Sequence, residues 1–240
     1  MTIPTDRELS QISAPPASGA AIRRTSTSHQ LYEQLRERII ALELPPALQL
    51  SRNELAEAYG VSQTPVRDAL QMLEKEGLVV VYPQSKTEVT RIDLRHARET
   101  QFLRMALELE VVRALTMEPA HPAIDQAARL VQLQETALNI DGDLERFALL
   151  DRQLHRLMFE AAGVPDLWTL VQSRSGHIDR LRKLNLMDPG KAATILAAHR
   201  EIVTHLQAQD LSCAQEAVRR HLSGTLAKVD EIQRSHPQFF

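Results

Sequence analysis

The chain has 240 residues, 43% hydrophobic and 25% charged, with a formal net charge of −3. That length can bury one large core or two modest ones, and the near-neutral charge excludes a global basic signature of nucleic-acid binding. A single cysteine, Cys213, excludes an intrachain disulfide framework and fits a reducing cytoplasm, and no apolar run approaches the length of a membrane span.

Residues 1–28 are rich in Ser, Thr, Ala and Pro and read as a disordered arm, with Arg23 and Arg24 as a basic pair. A helix is expected over 29–43, with Leu31, Leu35, Ile39 and Ile40 on one face. The run from Ser51 to Leu70 then reads as two short helices joined by a tight turn. Ser51 can cap the first, with Glu54 three residues on. Gly60 stands where that helix should stop in a left-handed backbone. Ser62 can cap the second, and Pro65 falls in its first turn, where a missing N–H costs little. Val66, Ala69, Leu70 and Leu73 make the buried face of that helix, so Gln63, Thr64 and Arg67 point outward from its start. A helix-turn-helix presents that part of its second helix to base edges in the major groove. Glutamine can pair with adenine, and arginine with guanine or phosphate. Val79–Tyr82 and Thr87–Thr90 read as a β-hairpin directly after this helix, which is the layout of a winged helix. Because the net charge is negative, DNA contact must come from local placement of Arg52, Arg67 and Lys86.

The wording of this segment is specific. Residues 29–91 resemble the DNA-binding domain of the GntR family of bacterial regulators. The match lies at Glu54, Leu55, Ala56, Gly60, Val61, Ser62, Thr64, Pro65, Val66, Arg67, Ala69, Leu70, Leu73, Gly77, Leu78 and Val79. The chain departs at Gln63, where the family usually has arginine, and Ser85-Lys86-Thr87 replaces a common wing glycine. The resemblance implies that Arg67 and Thr64 contact DNA. Gln63 stands at a contact position with different chemistry, so an operator sequence cannot be carried over.

Beyond residue 91 the chain lacks strand alternation. Helices are expected over 93–117, 122–139, 142–162, 165–185, 189–208 and 211–233, each break marked by a turn or cap signal. Short loops between long helices imply an antiparallel bundle. The expected fold is mainly α: an N-terminal winged helix and a C-terminal bundle of six or seven helices, divided as 1–28, 29–91 and 92–236.

The chemistry of the bundle is concentrated in four residues. Asp151 and His155 are four apart and share one helix face, with Phe147, Leu154 and Met158. His199 lies among Ile195, Ile202, Val203 and Leu206, and His221 among Ala214, Ala217 and Val218. Three helices thus aim one carboxylate and three imidazoles inward. A buried carboxylate is costly unless paired or metal-bound. This donor set suits a divalent transition ion, zinc first, with nickel, iron or manganese also suited. The alternative is a hydrogen-bonded core network without metal. An inward arginine could hold the far end of a small organic acid whose near end meets the metal. Arg174 replaces an apolar residue at an inward position, and His177 borders the interior. Arg104 could instead pair with Glu108 one turn away.

This region resembles the FCD ligand-binding domain of the FadR subfamily, over residues 94–236. The opening Arg-x-x-Leu-Glu motif stands as Arg104 to Glu108, and the metal motif as Asp151, His155, His199 and His221. The resemblance implies a metal held by these four residues and a small carboxylate effector beside it. The whole reads as a cytoplasmic one-component transcription regulator, a homodimer on a palindromic operator, with repression the commoner sign in the subfamily. A metal-dependent enzyme using the same cluster is the alternative, but it leaves the winged helix unexplained.

Overall fold

The computed structural model describes residues 26–83, 85–118, 121–186 and 190–240. Most of the expected N-terminal arm, including Arg23 and Arg24, therefore lies outside the described residues. Ser26 caps α1 (Thr27–Ile40) by accepting from the His29 N–H, so the helix begins two residues earlier than expected. It buries Leu31, Leu35 and Ile39 and stops before Leu42, whose φ is 64°. In α2 (Arg52–Ala58) the Ser51 side chain accepts from Glu54 N–H. Gly60 takes φ +63°, the left-handed backbone expected of it. Ser62 occupies the N-cap of α3 (Gln63–Lys75), but its side chain makes no capping bond, so that part of the expectation is corrected. α3 buries Val66, Ala69, Leu70 and Leu73. The wing is β1 (Val79–Val81) paired antiparallel with β2 (Thr87–Val89), Val79 opposite Val89 and Val81 opposite Thr87. These elements close one apolar core.

The second half consists of α4 (Leu94–Thr116), α5 (Pro122–Asn139), α6 (Leu144–Ala161), α7 (Pro165–Arg174), α8 (Gly176–Asn185), α9 (Lys191–Gln207), α10 (Leu211–Ser223) and α11 (Val229–Ser235). Asp93, Asp143 and Asp210 cap α4, α6 and α10 through their carboxylates, and Pro122 and Pro165 open α5 and α7. α5 packs on α6 and α9, α10 on α9 and α4, and α8 on α4 and on α1 of the winged helix.

Two expected helices are broken. The helix over 165–185 divides at Ser175, where the backbone ladder tightens to a bond from Ser175 N–H to Gln172 O and two carbonyls also take side-chain donors. Arg36 Nη2 donates to Gln172 O at 2.6 Å and Thr100 Oγ1 to Arg174 O at 2.8 Å. Those donors come from other elements, which sequence periodicity cannot show. The helix over 211–233 divides after Ser223. There a Cβ on Gly224 would lie 2.8 Å from Lys191 Nζ, and a 3₁₀ turn leads into α11.

The break at Ser175 is also where the two halves meet. Arg36 bridges Glu76 at 2.7 Å while holding Gln172. Tyr32 donates to the same carboxylate, and its hydroxyl pKa is raised by burial and by that carboxylate. Arg180 is fully buried and donates to Thr90 O at 2.6 Å. No acid stands against it in this contact, and burial lowers its pKa to about 10. The linker is also held from the far end of the chain, where Ile92 N–H donates to Phe239 O at 2.8 Å.

Gly176 sits against Leu78, which is completely buried. A Cβ built at Gly176 would lie 2.6 Å from Leu78 Cδ2 and 3.1 Å from its Cγ. Gly176→Ala should therefore cost about 1–3 kcal/mol through overpacking, despite alanine's better helix propensity. Urea melts of Gly176→Ala, Leu78→Ala and the double variant check this. The double variant should recover part of the alanine penalty, because the second change removes the obstructing branch.

Candidate metal centre and nucleic-acid interface

Asp151 and His155 lie one turn apart on α6, and α9 and α10 bring His199 and His221 onto them. One donor atom from each of the four lies within 4.8 Å of all the others. His155 Nε2 is 3.1 Å from His221 Nε2, which is 3.3 Å from His199 Nε2. Asp151 Oδ1 is 3.4 Å from His199 Nε2 and 4.0 Å from His155 Nε2. Asp151, His155 and His199 are buried, and His221 is partly buried. Trp168 of α7 lies parallel to the His155 ring, 8° between planes, and closes that side.

The cluster does not satisfy itself by hydrogen bonding. Three ring nitrogens face one another, and a proton on one can be shared with only one neighbour. Asp151 Oδ1 and His221 Nδ1 are buried and have no hydrogen-bond partner. Burial lowers the pKa of His199 to about 3 and that of His221 well below its ordinary value. For Asp151 burial opposes ionisation, but Arg182 and the imidazoles outweigh it and hold the carboxyl well below its usual range. One ionised carboxylate and neutral imidazoles, with donor atoms converging from three helices, are what a divalent transition ion requires. The four residues fit such an ion.

Behind this cluster, Glu108 Oε2 lies 2.8 Å from His155 Nδ1, and Gln134 Oε1 lies 2.7 Å from His199 Nδ1. Glu108 is itself gripped by Arg104, with Nη2 2.8 Å from Oε1. Burial raises the Glu108 pKa, but Arg104 and His155 overcome it and keep the carboxyl ionised. On the open side of Asp151 is a cleft lined by Ile40, Arg152, Asp179, Arg182 and Lys183 among others. Arg182 Nη1 lies 3.7 Å from Asp151 Oδ2 and 3.8 Å from Asp179 Oδ1.

The residues expected to meet an effector fall elsewhere. Arg104 is only 3% exposed and committed to Glu108, so it does not line the cleft. Arg174 points to solvent, 3.9 Å from Glu99, because the break at Ser175 ends its helix there and turns it outward. His177 is buried at the domain junction, where its Nδ1 accepts from Asp93 N–H at 2.9 Å. Burial lowers its pKa to about 3. The arginine that stands beside Asp151 and lines the cleft is Arg182, and neither Arg174 nor Arg104 does so. Arg182 had no sequence signal, since its nearness to Asp151 is purely tertiary. Gln134 had one: it interrupts the apolar stripe formed by Ala127, Val131 and Ala137 on α5.

On the winged helix, Arg52, Gln63, Thr64 and Arg67 are all exposed, at the starts of α2 and α3. Gln63 Nε2 donates to Asn53 Oδ1 at 2.5 Å, which draws Asn53 into the same surface. Arg67 touches only its exposed neighbour Asp68, at 3.3 Å. Lys86 on the wing pairs with Glu88 and lies 5.1 Å from the centre of the Tyr82 ring.

Comparison with known proteins settles the lineage. Residues 27–89 match the gntR family of bacterial regulatory proteins, and residues 99–224 match the FCD domain. The chain belongs to the GntR family. It is a DNA-binding transcriptional regulator with an FCD domain. An uncharacterized HTH-type transcriptional regulator of Streptomyces ambofaciens is 37% identical over 88% of each chain. The HTH-type transcriptional repressor RspR of Escherichia coli is 26% identical over 89% of this chain and 93% of its own. The structure of E. coli McbR/YncC superposes with a TM-score of 0.73 at 20% identity, covering 86% of this chain and 98% of that one. That likeness is one of fold. These relatives are transcriptional regulators, not enzymes. Among the described residues no helix is long and apolar enough to cross a membrane.

The buried histidines give the metal-free protein a signed pH dependence. In the unfolded chain histidine takes up a proton below about pH 6.5, whereas folded His199 and His221 resist protonation. The unfolded state therefore binds more protons as pH falls, and stability declines below about pH 6.5, by up to about 1.4 kcal/mol per pH unit for each such histidine. Urea midpoints in chelator between pH 7.5 and 5.0 check this. His199→Asn should flatten the slope, and equal slopes would mean that His199 is charged in the folded protein.

Proposed function

We propose that this regulator represses transcription as a cytoplasmic homodimer on a palindromic operator, and that a small organic acid bound beside a zinc-type ion controls its affinity for DNA. The observation that carries this reading is the cleft. Its wall includes Asp151 and Arg182 of the bundle and Ile40, the last residue of α1 in the winged helix. Asp151, His155, His199 and His221 would hold the ion, which when bound supplies open coordination positions for a carboxylate oxygen. Arg182 is placed to take the other carboxylate oxygen or a second acid group through charge-assisted hydrogen bonds. It now shares Asp151 and Asp179. Shifting it toward a ligand would disturb α8, whose other residues His177 and Arg180 grip the linker at Asp93 and Thr90. The DNA geometry then follows from which position of α8 the effector prefers.

On the DNA side, Gln63, Thr64 and Arg67 read bases or phosphates from the start of α3. Arg52 and Lys86 flank them. Arg67→Ala should weaken binding to the true operator by about 1–3 kcal/mol if it pairs with a base, with a melting temperature near that of the wild type because Arg67 has only an exposed neighbour to lose. Fluorescence anisotropy across a salt series measures this, and an unchanged affinity and salt slope would remove Arg67 from the interface.

For the effector, calorimetry of zinc-loaded protein against a panel of hydroxy-, keto- and sugar acids should find a ligand that shifts operator affinity. Arg182→Ala should weaken that ligand by at least tenfold, in keeping with about 1.5–3 kcal/mol for a hydrogen bond to a charged group. Operator binding without ligand should hold. Ligand affinity that survives both Arg182→Ala and metal removal would defeat the bridged arrangement.

A further inference from the structure

Two of the four cluster residues are held from behind by groups that accept hydrogen bonds. His155 Nδ1 and Glu108 Oε2 are buried 2.8 Å apart, within ion-pair distance though not aligned as a hydrogen bond, and neither atom has any other partner. A carboxylate only accepts, so the proton between them belongs to Nδ1. Gln134 presents Oε1 to His199 Nδ1 at 2.7 Å while its Nε2 is buried without a partner, and in this amide orientation the oxygen accepts and Nδ1 carries the proton. In a neutral imidazole a proton on Nδ1 leaves Nε2 with a free lone pair.

We propose that Glu108 and Gln134 are positioning residues of the metal centre, which lock His155 and His199 in the Nδ1–H tautomer and aim both Nε2 lone pairs at the point shared with Asp151 and His221. This rests on the metal reading given above. Arg104 completes the device. Its Nε and Nη2 lie 2.9 and 2.8 Å from Glu108 Oε1, which leaves Oε2 facing His155. The Arg-x-x-Leu-Glu stretch therefore serves the ligand shell from the rear, and Arg104 acts through Glu108. His221 has no such support, since its Nδ1 is buried with neither a hydrogen-bond partner nor an acid at ion-pair distance. It is the one imidazole of the three free to choose its tautomer.

The arrangement predicts an outcome that shape alone would not. In Glu108→Gln, Arg104 still claims the oxygen, so the amide NH2 must face His155 Nδ1. That nitrogen becomes an acceptor, the proton moves to Nε2, and the metal-facing lone pair is lost. Zinc affinity, read by competition with a chromophoric chelator, should fall about 10–100-fold, the usual range for an outer-shell change, although the side chain is nearly isosteric. Glu108→Asp should restore part of it. Gln134→Glu keeps the acceptor and should bind within a few fold of wild type, whereas Gln134→Leu should lose affinity as Glu108→Gln does. The cobalt-loaded protein should show altered visible bands in both weak variants.

Histidine 15N spectra of the chelator-treated full-length protein read the tautomers without any metal. His155 and His199 should both be protonated at Nδ1 in the wild type, and His155 at Nε2 in Glu108→Gln. Circular dichroism of each variant separates altered binding from lost folding, and if one variant unfolds, the wild-type spectra and the other site still decide. An Nε2–H tautomer at either residue in the wild type, or wild-type zinc affinity and cobalt bands in Glu108→Gln and Gln134→Leu, would overturn the proposal. The expected tautomers in a protein that takes up no zinc, nickel or manganese would uphold the tautomer assignment and overturn the metal reading instead.

Discussion

The ionised carboxylate of Asp151, buried in the middle of a helical bundle, is the constraint around which the second half of this protein is arranged. Removing a lone carboxylate from water costs several kcal/mol unless charge and hydrogen bonds replace the solvent. Here the replacement comes from three directions. Arg182 approaches from α8, His199 from α9, and His155 from one turn along α6. Glu108 would raise the cost by adding a second buried carboxylate, but it arrives already paired with Arg104. The interior thus holds two acids and two arginines, and burial holds His199 and His221 below the ordinary histidine pKa. Such a core is poor at stabilising a fold for its own sake, because hydrophobic residues of the same volume would do as well. That composition supports the metal-centre reading proposed for it.

α8 links that site to the DNA-binding half. It is a short helix with different chemistry on its sides: Arg182 toward Asp151, and Gly176, His177 and Arg180 toward the wing and linker. The junction is apolar as well as polar: Ile178 and Leu181 of α8 are buried with Ile92 of the linker, with Leu42 packed against them, and Gly176 meets Leu78. Arg36 serves both Glu76, beside Tyr32, and Gln172, and Arg180 holds Thr90 with no acid to balance it. A junction that combines packed apolar groups with a few strong polar contacts favours discrete alternative arrangements over continuous sliding.

How much of this was legible depended on whether the signal was local. The winged helix was readable because Gly60, Pro65 and the spacing of Val66, Ala69, Leu70 and Leu73 are local instructions. The four inward residues were readable because each polar side chain interrupts an apolar stripe at helical spacing. Arg174 misled for the same kind of reason. It occupies an inward position only if residues 165–185 form one helix, and the break at Ser175 depends on Arg36 and Thr100, far away in sequence. Arg104 and Glu108 were legible as a pair one turn apart but not as a buried one, since i,i+4 spacing is the same whether the pair is in water or buried. Arg182 could not be found at all without the fold.

The contact between Gly176 and Leu78 bears on how freely this architecture can be recombined. Joining a reader of one DNA sequence to a sensor of another ligand is an obvious way to build new regulators. In this chain the seam passes through a leucine of the reader lodged where the sensor has no side chain. A transplanted winged helix would need a branched residue of the same reach at 78, and a transplanted sensor would need glycine at 176. The two positions form a compatibility code, so functional chimeras should be those in which both travel together or both are redesigned.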